Sequence, residues 1–292
     1  MLVARAGELS LAHAAFLGVG AFTAINVGSR GAPWPVVLLV AMAVTAATAA
    51  LVGLPSLRIR GLQVAIATLV FQQFAEVYLF SRSDVTAAGE TWERPGFLDT
   101  DIRLYLFALA ALAVVLLIRR RLGVTKAGRS FLAVRDIVDR ARCFGIEPGP
   151  NKLLAYAISG AIVGLGGAVL ALKSGSISAK DPFLLLESLT LVAVVVVGGA
   201  GSAAGIITAA ILFKGLPQFY STVPFTDLRS DRIVPIASAL LHVISIVAAP
   251  EGIGGAFRAL GRLVDRVFAG KRERPAPQPQ ACLLYTSDAA DE

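Results

Sequence analysis

The chain has 292 residues, of which 56% are hydrophobic and only 16% are charged. A soluble domain usually carries about 25% charged residues, so this composition argues against a soluble enzyme and favours a membrane protein. The net charge of +7 would suit nucleic-acid binding in a soluble chain, but the basic residues here cluster in a few segments, as in the cytoplasmic loops of membrane proteins. We therefore expect membrane lipid as a partner and no nucleic acid.

The apolar residues form continuous runs of roughly 15 to 22 residues, about the length that a helix needs to cross the hydrocarbon layer. Because no water is present there, backbone groups must pair within each segment, which favours helices. The runs do not alternate as the strands of a membrane barrel do. We predict an all-α, polytopic transmembrane bundle of about eight segments, at 9–27, 35–54, 62–80, 103–118, 152–172, 184–198, 203–216 and 233–249.

Loop charges orient these segments. The segments 55–61, 119–151 and the tail after 250 are basic, whereas the 81–102 loop is acidic. Eight spans place all three basic segments on one face, which the positive-inside rule makes cytoplasmic. Counting 184–216 as one span would move the basic tail outside, so the charges favour two passes.

Polar side chains inside spans are candidates for a solute path, because they are costly in lipid and usually face a cavity or the bundle interior. Spacings of three and four place Glu76 on one helical face with Gln72 and Gln73. The alternatives are hydrogen bonding between helices or, for Glu76, a position near the outer interface. Ser10 and His13 open the first span, and for them we favour a structural pair.

Glycines suggest two further features. The pattern Gly160-x-x-x-Gly164, followed by Gly166 and Gly167, predicts close helix packing, as does Gly201-x-x-x-Gly205. The short segments 184–198 and 203–216 flank a glycine cluster, which is compatible with two tight spans, a re-entrant pair or one broken helix. Broken helices can expose helix ends to solutes, so the candidate path also includes Gly198, Gly199 and Gly201.

The cytoplasmic loop contains an amphipathic helix by pattern. Its apolar stripe is Phe131, Val134, Val138 and Ala141, and charged residues cover much of the rest. We expect Gly145 and Pro148 to end this helix. Such a helix can lie on the bilayer surface or dock in a groove of a soluble partner.

The chain lacks the patterns GxxxxGK[ST], HExxH and GxSxG. We therefore expect a protein that is not an enzyme and that has no catalytic residues, cofactor or metal ligands. The predicted organisation is a transmembrane domain over 1–256 with a cytoplasmic loop at 119–151, then a basic cytoplasmic tail at 257–280. Residues 281–292 are unrelated in pattern and are expected to be non-native or disordered, and the N-terminus is expected to be incomplete.

Five stretches in chain order resemble the permease subunits of branched-chain amino-acid ABC transporters. They begin at Leu9 (LSLAHAAFLGVGAF), Leu57 (LRIRGLQVAIATL), Gly128 (GRSFLAVRD, then ARCFGI and NKLLAYAISG), Val194 (through GGAGS to Gly205) and Pro250 (PEGIGG). The sequence departs from related permeases at Val85-Thr-Ala-Ala-Gly-Glu and at Gln72-Gln73.

The resemblance implies a subunit of a bacterial inner-membrane importer for branched-chain or related amino acids, or for similar small amides or carboxylates. It implies alternating access driven by cytoplasmic ATPase subunits, a second homologous permease, and a periplasmic or extracellular solute-binding protein. ATP hydrolysis would belong to a partner. By resemblance, the helix that couples to the ATPase contains Gly128, Arg129, Phe131, Val134, Arg135, Asp136, Val138, Ala141 and Gly145. The alternatives are a stand-alone secondary transporter or channel and, less favoured, a membrane-embedded enzyme.

Overall fold

The structure is a computed structural model that describes residues 10–59, 61–86, 91–136, 138–177, 183–199, 201–215 and residue 255. Within these ranges every regular element is a helix, as the sequence predicts. The predicted eighth segment at 233–249 and the predicted tail segments 257–280 and 281–292 lie outside the described residues.

Ten α-helices follow one another along the described chain. They are α1 His13–Gly28, α2 Trp34–Gly53, α3 Leu62–Phe74, α4 Ser83–Thr86, α5 Asp101–Val124, α6 Lys126–Asp136, α7 Val138–Cys143, α8 Pro148–Ser174, α9 Leu185–Gly198 and α10 Ala203–Ala210. Short 3₁₀ helices lie at Leu54–Leu57 and Gly96–Leu98. Segments of π-helix lie at Ala75–Leu79 and Ile211–Gly215. Seven of the eight predicted segments coincide with helices.

Four helical stretches are long and apolar enough to cross a membrane: Trp34–Leu57, Leu62–Leu79, Asp101–Val124 and Pro148–Ser174. Shorter apolar helices lie at His13–Gly28, Leu185–Gly198 and Ala203–Gly215. The fourth predicted span, 103–118, is longer in the structure because the helix continues through three arginines to Val124. The predicted cytoplasmic loop therefore begins inside α5.

Helix α1 lies at the centre of the bundle, and most of its side chains are buried between α2, α3 and α8. Glycines allow this close approach. A Cβ on Gly20 would lie 2.7 Å from Gly164 Cα, and a Cβ on Gly167 would lie 2.3 Å from the Leu17 carbonyl oxygen. Small residues thus let backbone pack on backbone, as the glycine pattern in α8 predicts.

Helix α2 packs along α8 by the same means. A Cβ on Gly160 would lie 2.5 Å from Ala49 Cβ, and one on Gly164 would lie 2.8 Å from the Ala41 carbonyl oxygen. Helices α1, α2 and α8 therefore form one densely packed core, whose large buried side chains include Phe22.

Helix α5 lies at the periphery. Leu104 is its one buried residue, and apolar side chains such as Leu106, Leu109 and Leu117 are exposed. An apolar helix that is exposed over most of its surface is suited to contact with lipid rather than water. This helix accordingly belongs at the rim of the bundle.

The two ends of the bundle carry the predicted loops. At one end Lys152 Nζ donates to the Ser56 carbonyl oxygen at 3.1 Å, which joins the two basic segments. At the other end the Trp92 N–H donates to the Gly175 carbonyl oxygen at 2.9 Å. The basic segments and the acidic loop thus lie at opposite ends, as the charge pattern predicts.

The acidic loop is partly neutralised by its own arginines. Arg94 bonds the carbonyl oxygens of Leu172 and Lys173 and the carboxylate of Asp101, so it caps the C-terminal end of α8. The exposed Arg82 donates to Asp84 at 3.1 Å, and this hydrogen bond raises the pKa of Arg82.

Candidate functional site

The α5–α6 corner at the basic end requires glycine at position 128. A Cβ there would lie 1.7 Å from the Leu122 carbonyl oxygen, far inside van der Waals contact. The chain can therefore turn from α5 into α6 within two residues while α6 stays against the bundle.

The apolar stripe of the amphipathic segment packs on its own chain. Phe131 is 1% exposed and packs in a cluster with Ala155, Ile158 and Ile162 of α8. Val134 and Ala141 are also buried. The expectation that this stripe meets lipid or a partner groove is wrong for Phe131, because α8 already covers it. Val138 and Asp136 lie in helices, but their side chains are outside the described part of the chain.

Other residues of α6 are exposed. They include Arg129, Leu132 and Arg135, with Leu132 39% exposed. Two cations therefore flank an aliphatic side chain on the exposed surface of a helix that the buried Phe131 fixes on α8.

The amphipathic segment is helical over Lys126–Asp136 and Val138–Cys143, with Ile137 between them outside the described residues. Gly145 adopts φ +72°, a left-handed conformation that suits glycine after a helix. Pro148 does not terminate this segment. It begins α8, where its missing N–H costs no hydrogen bond.

The polar residues of the third span behave differently from one another. Gln72 is fully buried: its Oε1 accepts from the Ala15 N–H at 2.8 Å, and its Nε2 donates to the Phe183 carbonyl oxygen at 2.8 Å. Gln73 is exposed, unlike its neighbour Gln72.

Glu76 lies in the π-turn after α3 and is half-buried. Its Oε2 accepts from the N–H of Leu185, the first residue of α9, at 2.8 Å. Leu184 offers this helix no side-chain cap. The Glu76 carboxylate, from a different helix, therefore accepts a hydrogen bond from the first turn as an N-cap side chain would. The partial positive charge at the N-terminus of α9 favours the carboxylate there. Gln72 and Glu76 therefore both make hydrogen bonds between helices, which the sequence left open as the alternative to a solute path.

The start of α1 is held by side chains from two other helices. The Leu11 N–H donates to Thr68 Oγ1 of α3 at 2.9 Å, and Ser188 Oγ of α9 donates to the Leu11 carbonyl oxygen. His13 Nδ1 contacts the Ser10 carbonyl oxygen at 3.0 Å, so this predicted pair joins a side chain to the backbone. The sequence does not single out Thr68 or Ser188 as residues that join helices, because single hydroxyl side chains in apolar spans often bond carbonyl groups of their own helix.

The glycine cluster forms the tip of a helical hairpin, here the α9–α10 hairpin. Gly198 ends α9, and a Cβ on it would lie 2.5 Å from Ile206 Cα. Gly199 has φ +79°. At the open end, Glu187 pairs with Lys214, which brings the first turn of α9 to the last turn of the second arm. The two arms are antiparallel, so the interpretation as one broken helix is wrong.

Gly201 is exposed, and its carbonyl oxygen accepts from Arg119 Nη2 at 2.8 Å. The tip thus contacts α5 at its basic end. In the sequence, the three arginines at 119–121 have the pattern of charges at a membrane interface. Nothing in that pattern predicts the contact with Gly201.

Residues 1–248 match the family described as "Branched-chain amino acid transport system / permease component". The chain is 30% identical over 243 residues to the high-affinity branched-chain amino acid transport system permease protein LivM of Escherichia coli K12. This alignment covers 73% of the chain and 57% of LivM.

LivM of Salmonella typhimurium LT2 matches with the same identity and coverage. The galactose/methyl galactoside import permease protein MglC of Escherichia coli K12 is 30% identical over 113 residues, which is 37% of the chain and 32% of MglC. The chain thus spans a little over half the length of LivM. No solved structure matches the chain.

The family match over most of the chain agrees with the resemblance noted in the sequence and with the apolar helices, which mark a multi-pass integral protein of the bacterial inner membrane. The chain belongs to the family of branched-chain amino acid transport system permease components.

Proposed function

We propose that the chain is a transmembrane permease subunit of an ATP-binding-cassette importer for branched-chain or related amino acids. The observation that carries this proposal is the family match over residues 1–248. The two LivM proteins are named for branched-chain amino acid transport and match a larger share of the chain than the galactoside permease does. This difference favours amino acids over sugars.

In this proposal the permease carries no catalytic residue, and ATP hydrolysis belongs to two cytoplasmic ATPase subunits. A second homologous permease would complete the gate, and a periplasmic binding protein would deliver the solute to the outer end. The permease domain would extend over 1–256, followed by a basic tail at 257–280. Residues 281–292 would play no part.

The ATPase would meet the exposed face of α6. Arg129, Leu132 and Arg135 point outward from a helix whose other face is fixed on α8 by Phe131. A push on this face would pass into α8 and hence into the α1–α2–α8 core, because a buried aromatic contact does not slide freely in a close-packed interior. This attachment is what a coupling helix requires.

The solute would pass near the junction of α1, α3 and the α9–α10 hairpin. His13 and Glu76 are half-buried there, and the glycine tip lies at the basic end of the hairpin. Gln72 would support this junction rather than line the path, because both ends of its amide already bond backbone groups.

Charge reversal of Arg135 tests the coupling assignment. Arg135→Glu would place a carboxylate where the ATPase is expected to meet a cation, so we expect ATP-dependent uptake to fall by about tenfold, the effect of 1.4 kcal/mol. The matched control is Arg121→Glu, which reverses an exposed arginine at the same end of the bundle but on α5. Uptake is measured in vesicles that contain the full complex, with membrane-inserted protein quantified.

Two outcomes would contradict the proposal. Equal uptake by the Arg135→Glu and Arg121→Glu proteins would remove the coupling role of α6. Solute uptake without ATP by vesicles that contain this chain alone would instead favour a stand-alone transporter or channel.

A further inference from the structure

The α9–α10 hairpin has a small core of its own. Val194 and Val197 of α9 pack against Ala209 and Phe213 of the second arm, apart from the larger core of α1, α2 and α8. Gly198 brings the two backbones together at the tip, and Glu187 pairs with Lys214 at the open end. Internally the hairpin is therefore held by apolar contacts and one ion pair.

The attachment of the hairpin to the bundle is of another kind. Phe183, which leads into α9, packs against Phe22 and Phe80 with ring centroids 5.2 and 5.6 Å apart. Among the described residues, three side chains join the base of the hairpin to the bundle through hydrogen bonds with backbone groups. They are here called the polar latch: Gln72, Glu76 and Ser188.

Two members of the polar latch reach the hairpin from α3. Gln72 Nε2 holds the Phe183 carbonyl oxygen, and Glu76 holds the Leu185 N–H, each at 2.8 Å. These two backbone groups lie on either side of Leu184, the residue before the first turn of α9, which gives the helix no side-chain cap. The position of α9 relative to α3 is thus set by two side chains that can release their partners one at a time.

The third member joins the first turn of α9 to α1, because Ser188 Oγ donates to the Leu11 carbonyl oxygen. Thr68 of α3 accepts from the Leu11 N–H, so the same residue of α1 is also joined to α3. Gln72 adds the Ala15 N–H through its other amide atom. Since Gln72 joins α1 and the entry of α9 through one amide, a movement of either helix strains the same pair of hydrogen bonds.

At its tip the hairpin makes a polar contact with α5, in which Arg119 Nη2 donates to the Gly201 carbonyl oxygen at 2.8 Å. Helix α5 leads directly into α6 through the Gly128 corner. The tip is thus linked to the helix whose exposed face is proposed to receive the ATPase.

We propose that the α9–α10 hairpin moves as one body during transport, and that Gln72 and Glu76 are positioning residues that hold it in one of its two positions. The proposal rests on the proposed transport function. A body with its own apolar core, attached at its base by the Phe183 rings and by single hydrogen bonds, changes position at lower cost than a helix packed glycine to glycine. The Arg119 contact joins the tip to α5 in the position described, and it would break when the hairpin moves against α5.

Matched substitutions test the two positioning residues. Gln72→Leu removes both of its hydrogen bonds at similar size, whereas the control Gln73→Leu changes an exposed neighbour on α3. Glu76→Leu removes the cap of α9, whereas Glu76→Gln keeps a carbonyl acceptor. We expect Gln72→Leu and Glu76→Leu to lower the solute carried per ATP by about tenfold, Glu76→Gln to lower it less than Glu76→Leu does, and the control Gln73→Leu to stay near wild type.

This ratio separates positioning from mere folding, because poorly assembled protein lowers uptake and hydrolysis together. Hydrogen exchange of the full chain in lipid discs gives a readout that needs no transport. The first-turn amides of α9 should exchange faster in Glu76→Leu and not in Glu76→Gln. Unchanged exchange together with an unchanged ratio would overturn the proposal while leaving the transport function intact.

Crosslinking tests the motion even if a substitution prevents folding. Cys143 and Cys282 are first replaced by serine. A reversible thiol crosslinker is then applied to the pair Arg119→Cys and Gly201→Cys, or to the pair Glu187→Cys and Lys214→Cys. The first joins the tip to α5 and should stop uptake until it is released. The second joins the two arms of the hairpin and should leave uptake unchanged.

Uptake that survives the α5 crosslink would show that the tip does not move against α5. Uptake blocked by the crosslink between the arms would show that the hairpin does not move as one body. Either result overturns the inference. Absence of ATP-dependent uptake by the wild-type complex would overturn the proposed function instead, while hydrogen exchange would still test the polar latch.

Discussion

The α1–α2–α8 core and the α9–α10 hairpin both depend on glycine, but they use it differently. In the core, Gly20, Gly164 and Gly167 bring the backbones of different spans together. In the hairpin, Gly198 brings together two arms that are adjacent in sequence, and polar side chains attach the result to the bundle. Close packing between spans fixes the core, whereas close packing within the hairpin leaves it movable as a unit.

The largest expected effect comes from adding a methyl group to the core. Gly167→Ala places a Cβ 2.3 Å from the Leu17 carbonyl oxygen, and backbone on both helices must shift to admit it. We expect a loss of at least about 3 kcal/mol, the upper part of the range for overpacking. Thermal unfolding of detergent-purified protein, followed by size-exclusion chromatography, measures it.

The neighbouring glycine provides the control. A Cβ on Gly166 would lie 3.5 Å from Leu17 Cδ1, an ordinary contact, so Gly166→Ala should be neutral or slightly stabilising through helix propensity. Equal stability of the Gly166→Ala and Gly167→Ala proteins would mean that α1 and α8 are not packed as described.

A smaller effect is expected from the same change within the hairpin. Gly198→Ala would place a Cβ 2.5 Å from Ile206 Cα and spread the two arms, so we expect uptake to be lost while the unfolding temperature of the bundle falls little. Gly201→Ala is the control, since nothing lies within 4 Å of its added Cβ. A fall in unfolding temperature as large as that of Gly167→Ala would contradict the distinction between core and hairpin.

The smallest effect is expected at the cap of α10. Ser202 Oγ accepts from the Gly205 N–H at 3.1 Å, and Ser202→Ala should cost about 1 kcal/mol of local stability. Faster hydrogen exchange in the first turn of α10, without faster exchange in α1, would report it. Ser202→Asp retains an acceptor and should exchange as wild type does, whereas fast exchange in Ser202→Asp would exclude capping as the cause.

Much of the fold follows from the sequence through general constraints. Long apolar runs must become helices in lipid, so seven predicted segments match helices of the structure. The Gly160-x-x-x-Gly164 pattern predicts close packing because the absence of a Cβ is a local property. The amphipathic pattern of 131–141 also correctly identifies a buried face on Phe131, Val134 and Ala141.

The errors share a cause, which is that periodicity gives a face without giving the neighbour that covers it. Gln72 and Gln73 are adjacent in sequence, yet one is buried between three elements and the other is exposed. The apolar stripe that begins at Phe131 has the pattern of a docking surface, yet α8 covers Phe131. The sequence pattern predicts that Pro148 ends a helix, yet a proline is equally well accommodated in the first turn of the following helix.

The sequence by itself determined that the chain crosses a membrane as a helical bundle, that its basic segments lie at one end, and to which family it belongs. These properties depend on transfer of side chains into lipid, on charge and on local motifs, which residues carry wherever they stand. The tertiary structure alone decided that Gln72, Glu76 and Ser188 hold the α9–α10 hairpin, and that Arg119 reaches its tip. Such contacts join residues up to 177 positions apart, and only the packing of the helices determines which backbone groups come within hydrogen-bonding distance of them.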